Sequence, residues 1–200
     1  MKDLEVQEQP VPFMVFAHWL HEHTSKSRSN YTGACVLSTV GMDGYPNARN
    51  VSIKLLEYPY LIFGTPINSL KSIEIKASKK VALTFWWEES MRQIRIQGIA
   101  SELDEETADF VFEKRNKGSQ VVSLISEQGA NLPSWEILQE RYRVMFNELK
   151  DERIERPEHW KGFKVEPIRY EFMEFRKTRL HYRRVFHKKK DGWEMKMIQP

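Results

Sequence analysis

The sequence predicts an antiparallel β-barrel with helices packed on its outside. Three observations predict it. About eight short runs rich in β-branched and aromatic residues are joined mostly by tight turns. About five helical segments are grouped around those runs instead of alternating with them one for one, which argues against a βαβ sheet. No Gly-x-Gly-x-x-Gly or P-loop follows a strand, so a parallel nucleotide-binding sheet has no support.

Residues 1–11 read as a loose, polar arm, and one domain is expected over 12–200. Pro12 opens a helix over 12–24 whose Phe13, Phe16, Trp19 and Leu20 make one apolar stripe. Strands at 33–40 and 45–57 flank the turn Gly41-Met42-Asp43-Gly44 as a hairpin. A short strand at 59–64 leads through a loop to a helix at 70–77, with Asn68 or Ser69 as its cap. Strands at 80–87 and 91–103 follow; in the second, Ile94 and Ile96 alternate with Gln93, Arg95 and Gln97. Helices are expected at 104–114, 119–127 and 133–150, the last presenting Trp135, Leu138, Tyr142, Met145 and Leu149 on one face. A charged link precedes strands at 162–175, 180–188 and 193–198, the last two joined by the turn Asp191-Gly192.

The chain has 200 residues, 40% of them hydrophobic, which supports one core without staples. Its 31 basic and 28 acidic residues leave a net charge of only +3, too balanced for a dedicated nucleic-acid binder. The lone Cys35 allows no disulfide and sits in an apolar run, where it reads as a small buried hydrophobe. No apolar stretch approaches the roughly 20 residues of a membrane span, and the start lacks an apolar signal region, so a cytoplasmic protein is expected.

Four constellations carry chemistry. Arg179, His181 and Arg183, at i, i+2 and i+4 of a strand, share a face that is either a solvated basic surface or one wall of a site for an anion or an electron-rich ring. Ser69-Leu70-Lys71 opens a helix, as an ordinary cap or a phosphate seat. Arg49 and Lys54 bracket Asn50-Val51-Ser52-Ile53 and would share a site only across a bulge. Arg115 and Ser119 leave a helix end where either capping or a phosphate clamp fits. His18, His21 and His23 do not share one helix face, so no metal site is expected.

These segments, taken in order, resemble the pyridoxamine/pyridoxine 5'-phosphate oxidase family. The likeness runs through Pro12-Phe13, Arg49 to Lys54, Thr65 with Ser69 and Lys71, Arg92-Gln93-Ile94-Arg95, Arg115 and Ser119-Gln120, Trp160-x-Gly162-Phe163, Glu171-Phe172 and Arg179-Leu180-His181-x-Arg183. The resemblance implies a split β-barrel homodimer with FMN at its interface, oxidising pyridoxamine or pyridoxine 5'-phosphate at C4' to pyridoxal 5'-phosphate with O2 and releasing H2O2. It implies FMN contacts from Arg49, Asn50, Val51, Ser52, Ile53, Lys54, Thr65, Ser69, Lys71, Gln93, Gln128 and Arg183. Lys54, Arg115 and Ser119 would hold the substrate phosphate, with Arg179 and His181 over the substrate ring as catalytic residues. Five positions depart from the pattern: Leu70 replaces an arginine, Gly64 an aromatic, Val111 a tyrosine, Met173 a tryptophan and Tyr182 an aspartate. Two other readings are an FMN-dependent oxidase of another small molecule, as in phenazine biosynthesis, and a non-catalytic flavin- or haem-binding barrel.

Overall fold

The computed structural model describes residues 11–27 and 32–200, so the expected arm, apart from Val11, lies outside the described residues. Helix α1 (Pro12–Lys26) begins at proline, whose missing N–H has no partner to lose in a first turn. Its Phe13, Phe16 and Trp19 are buried in the main core with Leu37, Leu83, Phe85, Ile94, Ile96 and Phe172 from the sheet.

The strands are β1 (Ala34–Val40), β2 (Pro46–Ser52), β3 (Leu55–Glu57), β4 (Tyr60–Phe63), β5 (Lys80–Trp87), β6 (Arg92–Glu102), β7 (Phe163–Glu174), β8 (Tyr182–Lys189) and β9 (Gly192–Ile198). They form one nine-stranded sheet in the order β2-β1-β5-β6-β7-β4-β3, with β8 and β9 joined to β7. β7 is the branch point. It pairs with β6 along its length, while residues 163–165 pair with β4 and 169–174 with β8. Every pairing is antiparallel, and the sheet curls into the expected split barrel.

The strand expected at 45–57 is broken. Ile53 N–H donates to Gly33 O at 2.8 Å, but Lys54 N–H donates to Ile62 O at 2.8 Å, so the chain changes partners between them. β2 belongs to β1, and β3 belongs to β4. Gly33 permits the crossing, because a Cβ there would lie 2.3 Å from Ile53 O. The last hairpin starts later than expected. β8 starts at Tyr182, and Arg179 sits at φ 68° in the preceding turn, so Arg179 and His181 do not share a strand face with Arg183.

The helices between strands build a second core. α3 (Glu105–Glu113), α4 (Lys117–Ile125) and α5 (Trp135–Glu148) start at side-chain caps Asp104, Asn116 and Ser134. Val111, Phe112, Val121, Ile154 and Trp160 pack on Ile62 of β4, with Tyr142, Met145 and Phe146 of α5 and its C-cap residue Leu149 half-buried against them. The expected α5 stripe does not reach its first turn, for Trp135 is 61% exposed. Among the described residues no helix is long and apolar enough to cross a membrane.

Candidate active site

Where the two cores meet, β4 delivers Gly64 and Thr65 beside the 157–162 loop. Lys161 N–H donates to Thr65 O at 3.1 Å and Ile67 N–H to His159 O at 2.7 Å. After Thr65 the chain turns into α2 (Leu70–Ser78). Ser69 is its N-cap residue, but its hydroxyl does not cap; Oγ donates to Pro66 O at 2.9 Å, which fixes the turn instead. A cavity of about 260 Å³ opens here, and it gathers six of the expected residues: Asn50, Val51, Thr65, Lys71, Arg115 and Gln128. It also takes in Gly64, Ser123 and Trp160, to which no role was assigned from sequence.

Lys71 Nζ is buried and donates to Thr65 Oγ1 (3.1 Å), Ser69 Oγ (3.1 Å) and Gln128 Oε1 (2.6 Å). Burial, with the nearby Arg49 charge, pushes the ammonium down to about 8, and Glu74 offsets part of that. All three acceptors are neutral, so the charge is solvated but not cancelled. Arg49 differs. Its NH2 meets Glu74 Oε2 at 2.9 Å and its NH1 donates to Thr39 Oγ1. Glu74 is 1% exposed. Burial raises its carboxyl, but hydrogen bonds from Thr39, Asn47 and Arg49 outweigh this and keep it below its usual range.

Among the described residues no carboxylate pairs with Arg115. NH1 donates to Ser123 Oγ at 2.5 Å, and the guanidinium carbon lies 4.6 Å above the Trp160 ring and 5.6 Å from Phe112. Burial pushes its pKa down to about 10. No residue lining the cavity is acidic. Ser119, expected beside Arg115, does not line the cavity; its N–H donates to the Asn116 cap, and Ser123, one turn further on, takes the place facing Arg115. That one-turn spacing from Ser119 was the available signal for Ser123. Lys54 is exposed at the β2–β3 crossing, and Ile53 is buried in the main core; neither lines the cavity.

The remaining residues lie elsewhere on the chain. Arg183 NH2 meets Glu171 Oε1 at 2.6 Å, and this buried carboxylate also takes Arg169 (2.7 Å) and Arg95 (3.4 Å). Gln93 Nε2 lies 4.0 Å from Met173 Sδ on the paired strand. Arg179 and His181 occupy the β7–β8 turn, whereas the cavity adjoins the opposite end of β7. Twelve residues of strand separate the two ends, roughly 35 Å of path at about 3.3 Å per residue. One chain therefore does not unite the cavity with Arg179 and His181 in a single wall. His181 Nδ1 accepts from Arg176 N–H at 3.0 Å, which places the ring proton on Nε2.

The departures have physical settings. A Cβ at Gly64 would come 2.1 Å from Trp160 Cη2, so the indole occupies the room a side chain would need. Val111 is 1% exposed in the second core, while Leu70 is 59% exposed. The Arg184 guanidinium lies 5.4 Å over the Tyr182 ring.

Residues 24–170 match the pyridoxamine 5'-phosphate oxidase family, and residues 160–200 match the pyridoxine 5'-phosphate oxidase C-terminal dimerisation region. The pyridoxine/pyridoxamine 5'-phosphate oxidase of Flavobacterium johnsoniae is 34% identical over 98% of this chain and 92% of its own. That of Caulobacter vibrioides is 36% identical over 94% and 85%. Among solved structures, PhzG from Burkholderia lata, in complex with tetrahydrophenazine-1-carboxylic acid, superposes with TM-score 0.88 at 24% identity, covering 97% of this chain and 95% of that one. A pyridoxamine 5'-phosphate oxidase-related, FMN-binding protein from Nostoc punctiforme gives TM-score 0.78 at 16% identity, over 96% and 99%. At these identities the two structures share the fold.

Proposed function

The chain belongs to the pyridoxamine 5'-phosphate oxidase family, and from that premise we propose that it oxidises pyridoxamine and pyridoxine 5'-phosphates to pyridoxal 5'-phosphate in the cytoplasm, with FMN as cofactor. The observation that carries this reading is the cavity holding Lys71, a buried cation, and Arg115, a half-buried one, with no acidic residue among its walls. Such a site fits phosphate esters, since guanidinium and ammonium donors gain most from an anion when water is scarce.

Lys71 would hold the FMN phosphate with Thr65, Ser69 and Gln128, aided by the charge of Arg49. Residues 50–54 would run along the ring system, and Gln93 and Arg183 would reach a flavin. Arg115, with Lys54 and Ser119, would hold the substrate phosphate. When bound, FMN would supply the acceptor for a hydride from substrate C4', with O2 taking the two electrons and two protons onward as H2O2; from the alcohol this leaves the aldehyde, and from the amine an imine that water hydrolyses to the aldehyde and ammonia. The protein's part is to hold the substrate where that carbon faces the acceptor. Arg179 and His181 would cover the substrate ring, and the length of β7 supports their coming from a second copy of the chain. The match of residues 160–200 to a dimerisation region supports the same homodimer.

The test mixes FMN-loaded protein with pyridoxamine or pyridoxine 5'-phosphate in air and follows pyridoxal 5'-phosphate and H2O2. Protein that holds flavin but turns over neither ester would sink the reading. Burial of Val111, where the resemblance expects a tyrosine on the substrate phosphate, favours a second reading: oxidation of a different small molecule.

A further inference from the structure

Arg115 is oriented without being neutralised. Its guanidinium rests 4.6 Å above the Trp160 ring and donates to Ser123, and the cavity walls offer it no carboxylate. A ring face attracts a cation through its quadrupole but carries no net charge, so the cation stays available to a ligand. A carboxylate would orient the same group and cancel its field. Trp160 is itself fixed: it is 2% exposed, sits edge-on to Phe112 with centroids 5.1 Å apart, and bridges to Pro66 of the neighbouring segment. Its indole lies against Gly64, where a Cβ would meet it at 2.1 Å.

We propose that Trp160 is the positioning residue of Arg115: its indole face turns the guanidinium into the cavity with its charge intact for a phosphate monoester, and Gly64 supplies the room that the indole needs. This rests on reading Arg115 as the cation for the substrate phosphate. The lowered pKa of Arg115, caused by burial, is the direction expected of a cation that lacks an anionic partner. The role gives Gly64 a physical reason, because any side chain there displaces the indole and with it the support beneath Arg115.

The test uses FMN-loaded protein in which Trp160 is replaced site-specifically by tryptophans of increasing fluorination. Fluorine drains the ring face while nearly preserving its shape, so a purely structural role would not respond. Binding of pyridoxal 5'-phosphate is read from the flavin spectrum, with pyridoxal as the control lacking phosphate. The expected result is a stepwise loss of pyridoxal 5'-phosphate affinity across the series, roughly three- to thirtyfold in total. Pyridoxal affinity and the thermal midpoint should stay level. Trp160→Phe, which keeps a ring, should lose less than Trp160→Leu. A flat fluorination series, beside an Arg115→Met variant that binds the ester at least about tenfold more weakly, overturns the role of Trp160 and leaves the proposed reaction standing. Unchanged ester binding in Arg115→Met overturns both the role of Trp160 and the reading of Arg115.

Discussion

Lys71 has two arginine neighbours held by different physics. Arg49 is gripped by Thr39 and by Glu74, a buried carboxylate that also binds Asn47, so the cluster ties α2 to the β1–β2 hairpin. Arg115 shares the cavity of Lys71 but rests on an indole and a hydroxyl. In the first region the cation is paired with a buried carboxylate; in the second its partners are neutral. The expectation is that damage to the Arg49 cluster shows first as lost stability, and damage at Arg115 as lost binding.

The strongest attempt to break this contrast is Glu74→Ala. It strands Arg49, the buried Thr39 and the half-buried Asn47, and should lower unfolding free energy by about 3–5 kcal/mol, read from urea melts. A loss under about 1 kcal/mol would remove the contrast. Next is Arg115→Met, which should weaken the productive binding of phosphorylated substrate by about 1.5–3 kcal/mol, seen as a raised KM, with the urea midpoint held or improved. A fall in stability as large as that of Glu74→Ala would mean that both arginines serve the fold.

The third test is pH. Burial holds Lys71 near 8, below an ordinary lysine, so folding favours its neutral form. The free protein therefore gives up this proton as pH rises through about 8, and its stability cost, present below that value, fades above it. A bound phosphate would keep the proton on. FMN affinity should then be level between about 6, where the phosphate itself takes up a proton, and 8, and fall by up to about tenfold per pH unit above 8, measured by flavin fluorescence titration. Lys71→Met should abolish the slope, and riboflavin, without phosphate, should not show it. The smallest effect is Leu70→Arg at the exposed start of α2. It should tighten FMN by under about 1 kcal/mol at low salt and leave riboflavin unchanged.

Strand alternation and helix caps made much of this architecture legible in the sequence. β5 runs over the residues expected of it, because Val81, Leu83, Phe85 and Trp87 alternate inward without interruption. The partner change at Ile53–Lys54 was not legible: the alternation Val51, Ile53, Leu55 runs straight across it, and only the tertiary approach of Gly33 and Ile62 divides the strand. Lys71, Thr65 and Gln128 were each named from sequence, but their convergence depends on the loop after α4 returning to α2. Glu74, Ser123 and Trp160 were missed as site residues because their importance lies in what they hold. A buried glutamate on a helix and a tryptophan in a loop both look like ordinary structural residues until their partners are placed.

The length of β7 has a genetic consequence. If the cavity of one chain is completed by the β7–β8 turn of another, two defects can rescue each other. A chain carrying Arg115→Met and a chain carrying Arg179→Ala would each form a homodimer impaired at both sites. A mixed dimer would contain one site with both lesions and one with neither. At limiting substrate, co-expression of the two variants would restore turnover above what either shows alone, and a cell would see complementation between alleles of one gene.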